Sequence, residues 1–259
     1  MLKRFLPCLL FFLLQALHAQ TATPTKICGD PNPSEWMTPA TLAQHPELSA
    51  VTGISVDMMR AVFNVVGKDV IFTADLPWKR CLNEVQNGNI DFAMGAYYDQ
   101  ERAKTFDYSI HYNTLTPQIF YLSSNPVTAA SLNELKRYKG CGNYGSSYEH
   151  YGLNAAQLDL GAGYDSMIRK LRAKRCDYFV EELEIIASFK MFGKDILSEP
   201  DIAHSNAPWA VAPSRYVITA KGKNTKLLEQ INHALEGLIK SGKAAEIWKT
   251  IIATIPYKP

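Results

Sequence analysis

The stretch that decides the fold runs over residues 53–95 and reads GISVDMMRAVFNVVGKDVIFTADLPWKRCLNEVQNGNIDFAMG. Its first third spaces apolar residues three and four apart, as one face of a helix requires, and Gly67 ends that pattern. Pro77 suits the first position of a second helix, which Gly88 ends. The segments between and after the helices are short and apolar, which is typical of strands. The stretch therefore alternates helix 53–66, strand 70–74, helix 77–88 and strand 90–95.

The rest of the chain continues this alternation. Ser131 and Glu134 have the spacing of a capping box, in which two side chains bond the free backbone N–H groups at a helix start. Alternating strands and helices indicate parallel α/β sheets. Further strands are predicted at 26–28, 118–122, around 140–142, 158–160 and 176–180, and further helices after 147, over 164–174, over 227–242 and around 247–251.

The composition and the N-terminus limit the class of protein. The chain has 259 residues, 20% of them charged and 47% hydrophobic, which excludes a disordered chain. Two basic residues precede an apolar run at 5–14 and small residues up to Ala19, so the sequence predicts a cleaved signal peptide over residues 1–19. Residues 1–19 hold two of the 27 basic residues and none of the 25 acidic ones, so the mature chain is neutral. Neutrality argues against binding to nucleic acid.

The cysteines suit an exported protein. Cys8 lies in the predicted signal peptide, and four cysteines remain, at positions 28, 81, 141 and 176. An even number of cysteines in an oxidising compartment favours disulfides. The six histidines are scattered and no CxxC pair is present, so we expect neither a metal site nor a cofactor.

Three stretches, taken in order, carry a resemblance to a known family. The first is LPWKRC at 76–81 with the NGNID that follows at 87–91; the second is ERAKTFDYSIHY at 101–112. The third joins LNELK at 132–136 and GSS at 145–147 to CDYFVEE at 176–182. Together they resemble the bacterial extracellular solute-binding proteins of family 3, the periplasmic amino-acid-binding components of ABC importers. The resemblance extends from Ile27 to about Ile252.

The resemblance implies an α/β, two-lobed periplasmic binding protein fold of type II. Each lobe is expected to be a mainly parallel sheet with flanking helices, and a ligand binds in the cleft between them. Lobe 1 would comprise residues 26–112 and 216–259, and lobe 2 residues 117–211, with hinge crossings near 113–116 and 212–215. Such lobes close on the ligand about the hinge. The implied partners are a small amino-acid-like molecule and a membrane permease or receptor, and we expect a monomer.

Two charged residues are the main candidates for ligand contacts. A ligand carboxylate favours a bidentate guanidinium, and Arg102 follows the 90–95 strand at the position where the family binds carboxylate. Glu182 follows the 176–180 strand, where the family usually has an aspartate for the ligand ammonium. Glu181 is the less favoured neighbour. The alternatives are a surface arginine and an acid that merely favours a helix N-terminus.

The remaining candidates are small or aromatic. Ser146 and Ser147 stand at a predicted helix start, where N–H groups and hydroxyls bind anions, although a simple N-cap is equally compatible. The aromatic pocket positions of the family correspond to Trp78 and Trp36, which core packing would also explain. Gly95 and Ala96, at the end of the strand that precedes Arg102, complete the predicted ligand contacts.

The loop before Arg102 departs from the family. It is one residue shorter than in the usual amino-acid binders and lacks the threonine that helps to hold the carboxylate. Tyr97, Tyr98 and Asp99 stand there instead. An acid beside the arginine would weaken the binding of a carboxylate, and these differences weaken the case for an ordinary α-amino acid, although an amino acid or a related compound stays the expected ligand.

The implied lobes also predict the disulfide pairing. In a doubly wound lobe the first and third strands are neighbours. Cys141 opens the first strand of lobe 2 and Cys176 the third, which places them at the same edge within bridging distance. Cys28 and Cys81 then pair within lobe 1.

Two other functions compete with transport. Some proteins of this fold resemble periplasmic cyclohexadienyl dehydratases, in which a cleft carboxyl acts as general acid, and Glu181 or Glu182 could serve. The protein could instead dock on a membrane receptor as a ligand-sensing partner. A serine nucleophile with His150 as base is disfavoured, because Ser146 and Ser147 have only His150 nearby, which at a spacing of three or four residues would flank them on a helix.

Overall fold

The computed structural model describes residues 23–29, 51–73, 76–144 and 146–259, without the side chains of residues 191 and 192. The predicted signal peptide and Trp36 lie outside the described residues. The strands are β1 Thr25–Gly29, β2 Val70–Phe72, β3 Phe92–Tyr97, β4 Phe106–Tyr108, β5 Asn113–Thr114, β6 Pro117–Leu122, β7 Gly140–Asn143, β8 Asp159–Gly161, β9 Tyr178–Glu182, β10 Ile202–Asn206 and β11 Ser214–Ala220. The α-helices are α1 Ile54–Val66, α2 Trp78–Gln86, α3 Leu132–Leu135, α4 Gly163–Arg172, α5 Leu183–Ser188, α6 Thr225–Lys240 and α7 Lys243–Ile251.

The strands form two separate sheets, and we call the bodies built on them lobe 1 and lobe 2. The lobe 1 sheet has the order β2-β1-β3-β11-β4, with β5 also paired to β11. The lobe 2 sheet has the order β10-β6-β9-β7-β8. Parallel pairs join β1 to β2 and β3, and β7 to β8 and β9, whereas β11 and β6 pair antiparallel with their neighbours. The two-sheet α/β class is confirmed, and each sheet is mixed because β6 and β11, which follow the two chain crossings, run against their neighbours.

The helices cover the sheets with the faces that the sequence periodicity predicts. In lobe 1, α1 packs against α6 and α7 over the sheet, and its core includes Met59, Val62, Ile231 and Leu235, all 0% exposed. Helix α1 ends at Gly67, whose φ of 71° is a left-handed conformation that glycine adopts without strain. The amide of Gly67 bonds the Phe63 carbonyl at 2.9 Å and so closes the last turn.

Two predicted strands end two residues too early. The apolar runs indicate strands at 90–95 and 176–180, but β3 extends to Tyr97 and β9 to Glu182. In β9 the reason is pairing: Pro117 and Gln118 of β6 lie opposite Glu182 and Glu181 and continue the ladder beyond the apolar residues. Polar side chains are thereby held on a buried strand end.

A capping box and two disulfides stabilise the predicted elements. Ser131 Oγ accepts the Glu134 amide at 3.3 Å, and the Glu134 carboxylate accepts the neighbouring Ala130 amide at 2.7 Å. The structure joins Cys28 to Cys81 and Cys141 to Cys176, with Cα–Cα distances of 5.8 and 5.6 Å. These are the pairings that the sequence predicts, one within each lobe. Within the described ranges, no helix is both long and apolar enough to cross a bilayer.

Candidate functional site

A narrow cavity lies between the two lobes. It leaves about 60 Å³ for the centres of water-sized molecules, and six of the eight predicted ligand contacts line it. Ala96 does not: it is fully buried with the Cys28–Cys81 bridge, because its side chain points to the opposite side of β3. Lobe 1 contributes Trp78, Gly95, Tyr97, Arg102 and Arg215, and lobe 2 contributes Ser146, Ser147, Tyr148, His150, Tyr151, Tyr164, Val180, Glu181, Glu182 and Ile185.

A β-bulge interrupts β3 where the strand forms part of the lobe 1 wall of the cavity. Ala93 and Ala96 lie opposite Ile218 and Tyr216, so β3 carries one residue more than β11 over this interval. Gly95 lies in the bulge with φ at 83°, a conformation that favours glycine. The bulge changes the direction of the strand end that carries Tyr97 and leads into the turn of Arg102.

Arg102 is positioned by its backbone and by one aromatic ring. It begins a single 3₁₀ turn, Arg102–Lys104, and Asp99 Oδ1 accepts its amide at 2.6 Å. Asp99 was expected to oppose carboxylate binding, but its contact is with the backbone N–H and caps the turn. The guanidinium donates from Nη1 to the Tyr97 carbonyl at 3.0 Å and lies 5.8 Å from the centre of the Trp78 ring. The cation–π contact holds the planar group against the wall of the cleft.

Glu182 lies at the centre of a hydrogen-bond network that joins the lobes. Its Oε2 accepts the hydroxyl of Tyr97 from lobe 1 at 2.7 Å. Its Oε1 accepts His150 Nε2 at 2.7 Å and the Tyr151 hydroxyl at 3.3 Å, both from lobe 2. An ionised carboxylate can only accept, so Nε2 of the histidine carries the proton. The Glu182 side chain is 1% exposed, and these hydrogen bonds satisfy its carboxylate within the protein.

The two adjacent carboxyl groups titrate in opposite directions. Burial raises the pKa of Glu181 well above its ordinary value, and the charge of Glu182 raises it further. Burial would also raise the pKa of Glu182, but hydrogen bonds from Glu181 and His150 outweigh it and lower that pKa to about 2. Glu181 also accepts the Tyr164 hydroxyl at 2.8 Å. Within the coupled pair the proton is therefore favoured on Glu181 and the negative charge on Glu182.

The two serines lie in a different setting from the one predicted. No long helix follows them: the next element is a 3₁₀ turn, Glu149–Tyr151, which Gly152 ends at once. An α-helix dipole is therefore not available to Ser146 and Ser147, and their contribution to anion binding is limited to hydroxyls and local N–H groups. Both serines still line the same cavity as Arg102.

Sequence reasoning missed the residues that surround Glu182. Tyr97 was noted only as a departure from the family, and His150 only as an unconvincing partner for the serines. Nothing in the sequence indicated Arg215, which is 1% exposed on β11 opposite Tyr97. The residues that the structure describes contain no group of three His, Cys, Asp or Glu that could hold a metal ion.

Comparison with known families decides the class of protein. The sequence model of the bacterial extracellular solute-binding proteins, family 3, matches residues 37–253, which is most of the chain. The chain belongs to this family. The two-sheet α/β fold of this family 3 protein agrees with that assignment. No curated protein matches the sequence.

Solved structures resemble this family 3 protein over nearly its whole length. A histidine kinase sensor domain with similarity to periplasmic binding proteins has a TM-score of 0.73 at 19% identity, covering 92% of this chain and 99% of its own. The arginine-, lysine-, histidine-binding protein ArtJ from Geobacillus stearothermophilus has a TM-score of 0.72 at 18% identity, covering 90% and 97%. The substrate-binding protein of an amino acid ABC transporter has a TM-score of 0.69 at 18% identity, covering 90% and 100%. At these identities the likeness establishes the fold.

Proposed function

We propose that this solute-binding protein captures a small carboxylate-bearing molecule, an amino acid or a related compound, in the interlobe cleft and delivers it to an ABC permease. The proposal rests mainly on the position of the Arg102 side chain. Its guanidinium lies on the lobe 1 wall over Trp78, opposite Ser146 and Ser147 of lobe 2. A planar cation held in this way suits bidentate recognition of a carboxylate.

Contacts from both lobes would couple binding to closure. A ligand that bonds Arg102 on one lobe and the two serines on the other makes all of these contacts only when the lobes are together. A ligand with contacts that one conformation has and the other lacks shifts the population toward the first. This is the behaviour that a permease can recognise.

The proposal includes export and two hinge crossings. The predicted signal peptide over residues 1–19 and the two disulfides are compatible with an oxidising periplasm. Lobe boundaries at 26–112 with 216–259, and at 117–211, place the crossings beside β5 and β11. N-terminal sequencing of the exported protein would test cleavage after Ala19.

The experiment that tests the proposal combines ligand identification with a matched pair of variants. Mass spectrometry of small molecules released from the denatured protein identifies the ligand, and calorimetry measures its affinity. Arg102→Ala should weaken binding at least about tenfold, since loss of a charged partner in a desolvated cleft costs about 2–5 kcal/mol. Lys104→Ala is the control, because Lys104 lies in the same 3₁₀ turn but pairs with Glu101 at the surface.

The proposal fails if no small molecule is released and no carboxylate binds. It also fails if Arg102→Ala and Lys104→Ala bind the identified ligand as tightly as the wild type.

A second candidate function is ligand sensing with a membrane receptor. This candidate is supported by the structural likeness to a histidine kinase sensor domain, at a TM-score of 0.73. Uptake of labelled ligand by cells that lack the protein separates the two functions. Lost uptake supports delivery to a permease, whereas normal uptake with a lost transcriptional response supports the receptor. The enzymatic alternative stays a prediction, and turnover of prephenate or arogenate by the purified protein tests it.

A further inference from the structure

The carboxylate of Glu182 has its hydrogen-bonding positions filled by the protein itself. A carboxylate accepts about four hydrogen bonds through its two oxygens. His150 and Tyr151 bond Oε1 at 2.7 and 3.3 Å, and Tyr97 bonds Oε2 at 2.7 Å. Glu181 donates a further hydrogen bond to the same carboxylate. A ligand ammonium, which needs acceptors, would have to displace one of these donors.

A nitrogen donor at this position is also supplied from within. His150 Nε2 lies 2.7 Å from Glu182 Oε1, with the two side chains 12% and 1% exposed. Its attraction is among the causes that keep the carboxylate ionised. The histidine therefore lies where a ligand ammonium would otherwise lie.

On the opposite wall of the cleft, Arg102 keeps hydrogen-bond donors that a ligand can use. The Arg102 guanidinium has five N–H donors, and its bond to the Tyr97 carbonyl uses one of them. Arg102, Ser146 and Ser147 also border a larger outer space of about 380 Å³, which Leu153, Asn154 and Ala155 line as well. An anion bound at this junction could extend its remaining atoms outward, away from Glu182.

We propose that Glu182, His150 and Tyr97 form an internal tie between the lobes in place of an ammonium subsite, so that the ligand is a small organic acid without an α-ammonium group. The inference rests on the proposed function, since it narrows the class of carboxylate that the cleft binds. Arg102 and the two serines hold the carboxylate. The α-carbon of the ligand carries a hydroxyl or oxo group, which needs no anionic partner.

The test compares matched acids that differ only at the α-carbon. The exported protein, freed of small molecules by unfolding and refolding, is titrated calorimetrically with L-lactate and L-alanine, L-malate and L-aspartate, and L-phenyllactate and L-phenylalanine. In any pair that binds, the hydroxy acid should bind about ten- to a hundredfold more tightly, because the ammonium would be desolvated without an acceptor. The molecule that co-purifies should also lack an α-ammonium.

His150→Ala sharpens the test. The variant removes the donor that bonds Oε1 at 2.7 Å and leaves room there for an ammonium, so amino acids should gain at least about tenfold relative to the matching hydroxy acids. His204→Ala is the matched control, because His204 lies on lobe 2 with a hydrogen bond to Gln118 at 2.9 Å and does not line the cavity. If His150→Ala does not fold, the wild-type pairs decide alone.

The outcomes separate this inference from the proposed function. Tighter binding of the amino acids by the wild type overturns the inference and leaves a carboxylate-binding protein. Absence of binding by every acid, together with no co-purifying molecule, overturns both.

Discussion

The two walls of the cleft each present one charged residue, and the two residues are bound into the protein in opposite ways. Arg102 on lobe 1 donates a side-chain hydrogen bond to the Tyr97 carbonyl and lies over the Trp78 ring. Glu182 on lobe 2 is 1% exposed and accepts hydrogen bonds from Tyr97, His150 and Tyr151 at 2.7 to 3.3 Å. A buried charge is costly unless its own protein satisfies it, and a charge so satisfied is a poor ligand group.

Arg102 and Glu182 differ in how many of their hydrogen-bonding positions the protein already uses, and this difference indicates which of them can bind a ligand. Position alone made both residues equivalent candidates, one for each end of a zwitterion. The number of donors and acceptors already used separates them, because a saturated group contributes to stability while a partly used group can bind. The two residues should therefore respond differently to the same substitution.

The largest expected effect is on stability. Glu182→Ala leaves the donors of His150, Tyr97 and Tyr151 without their acceptor, so it should lower the free energy of unfolding by about 3–5 kcal/mol. Arg102→Ala should lower it by about 1 kcal/mol, since it loses a half-buried cation–π contact and a hydrogen bond to a backbone carbonyl. Urea denaturation of the ligand-free proteins measures both. Equal losses of unfolding free energy would contradict the different roles given to Glu182 and Arg102.

Removal of either disulfide should lower the free energy of unfolding by a similar amount, because each bridge lies within one lobe. Replacing both cysteines of either bridge by alanine should cost about 2–5 kcal/mol. The bridges close separations of 53 and 35 residues, so chain entropy makes the lobe 1 bridge worth only about 0.4 kcal/mol more. Denaturation of the two double variants gives the difference. A gap of several kcal/mol would contradict the entropic account.

Tyr97→Phe removes the lobe 1 hydroxyl that donates to Glu182 at 2.7 Å. A hydrogen bond to a charged group contributes about 1.5–3 kcal/mol, so the variant should lose about that much unfolding free energy. Tyr98→Phe is the control, because Tyr98 is the next residue and is 60% exposed. The control should change by about 0.5 kcal/mol or less. If both variants unfold like the wild type, the interlobe bond does not stabilise the protein.

The smallest expected effect is the change in unfolding free energy per pH unit, which should have opposite signs for Glu181 and Glu182. Glu182 has a pKa lowered from 4.5 to about 2, so its contribution to stability is present above pH 4.5 and is lost as pH falls toward 2. Glu181 has a raised pKa, so its contribution is present below pH 4.5 and is lost as pH rises. Each slope is at most about 1.4 kcal/mol per pH unit.

Matched glutamine variants test these opposite signs by urea denaturation at several pH values. Glu181→Gln should gain stability relative to the wild type as pH rises above 4.5. The deficit of Glu182→Gln should shrink as pH falls from 4.5 toward 2. Parallel pH profiles for the two variants would contradict the assignment of charge to Glu182.

Much of the architecture could be predicted because it depends on local patterns. The helix face of α1, its end at Gly67 and the cap at Ser131 follow from spacings of three and four residues. Strand ends were less predictable, since β9 continues through Glu181 and Glu182 only because β6 supplies partners opposite them. The hydrophobic run ends earlier than the backbone pairing does.

The sequence by itself determined the α/β alternation, the two disulfide pairings and an arginine suited to a carboxylate, because each depends on neighbours along the chain or on strand order. Only the tertiary structure decided what Glu182 does. Its partners Tyr97 and His150 lie 85 and 32 residues away in sequence, and no periodicity links them. They meet because the bulge at Gly95 directs the end of β3 toward the end of β9. Folding thus satisfies within the protein a charge that the sequence offers to a ligand.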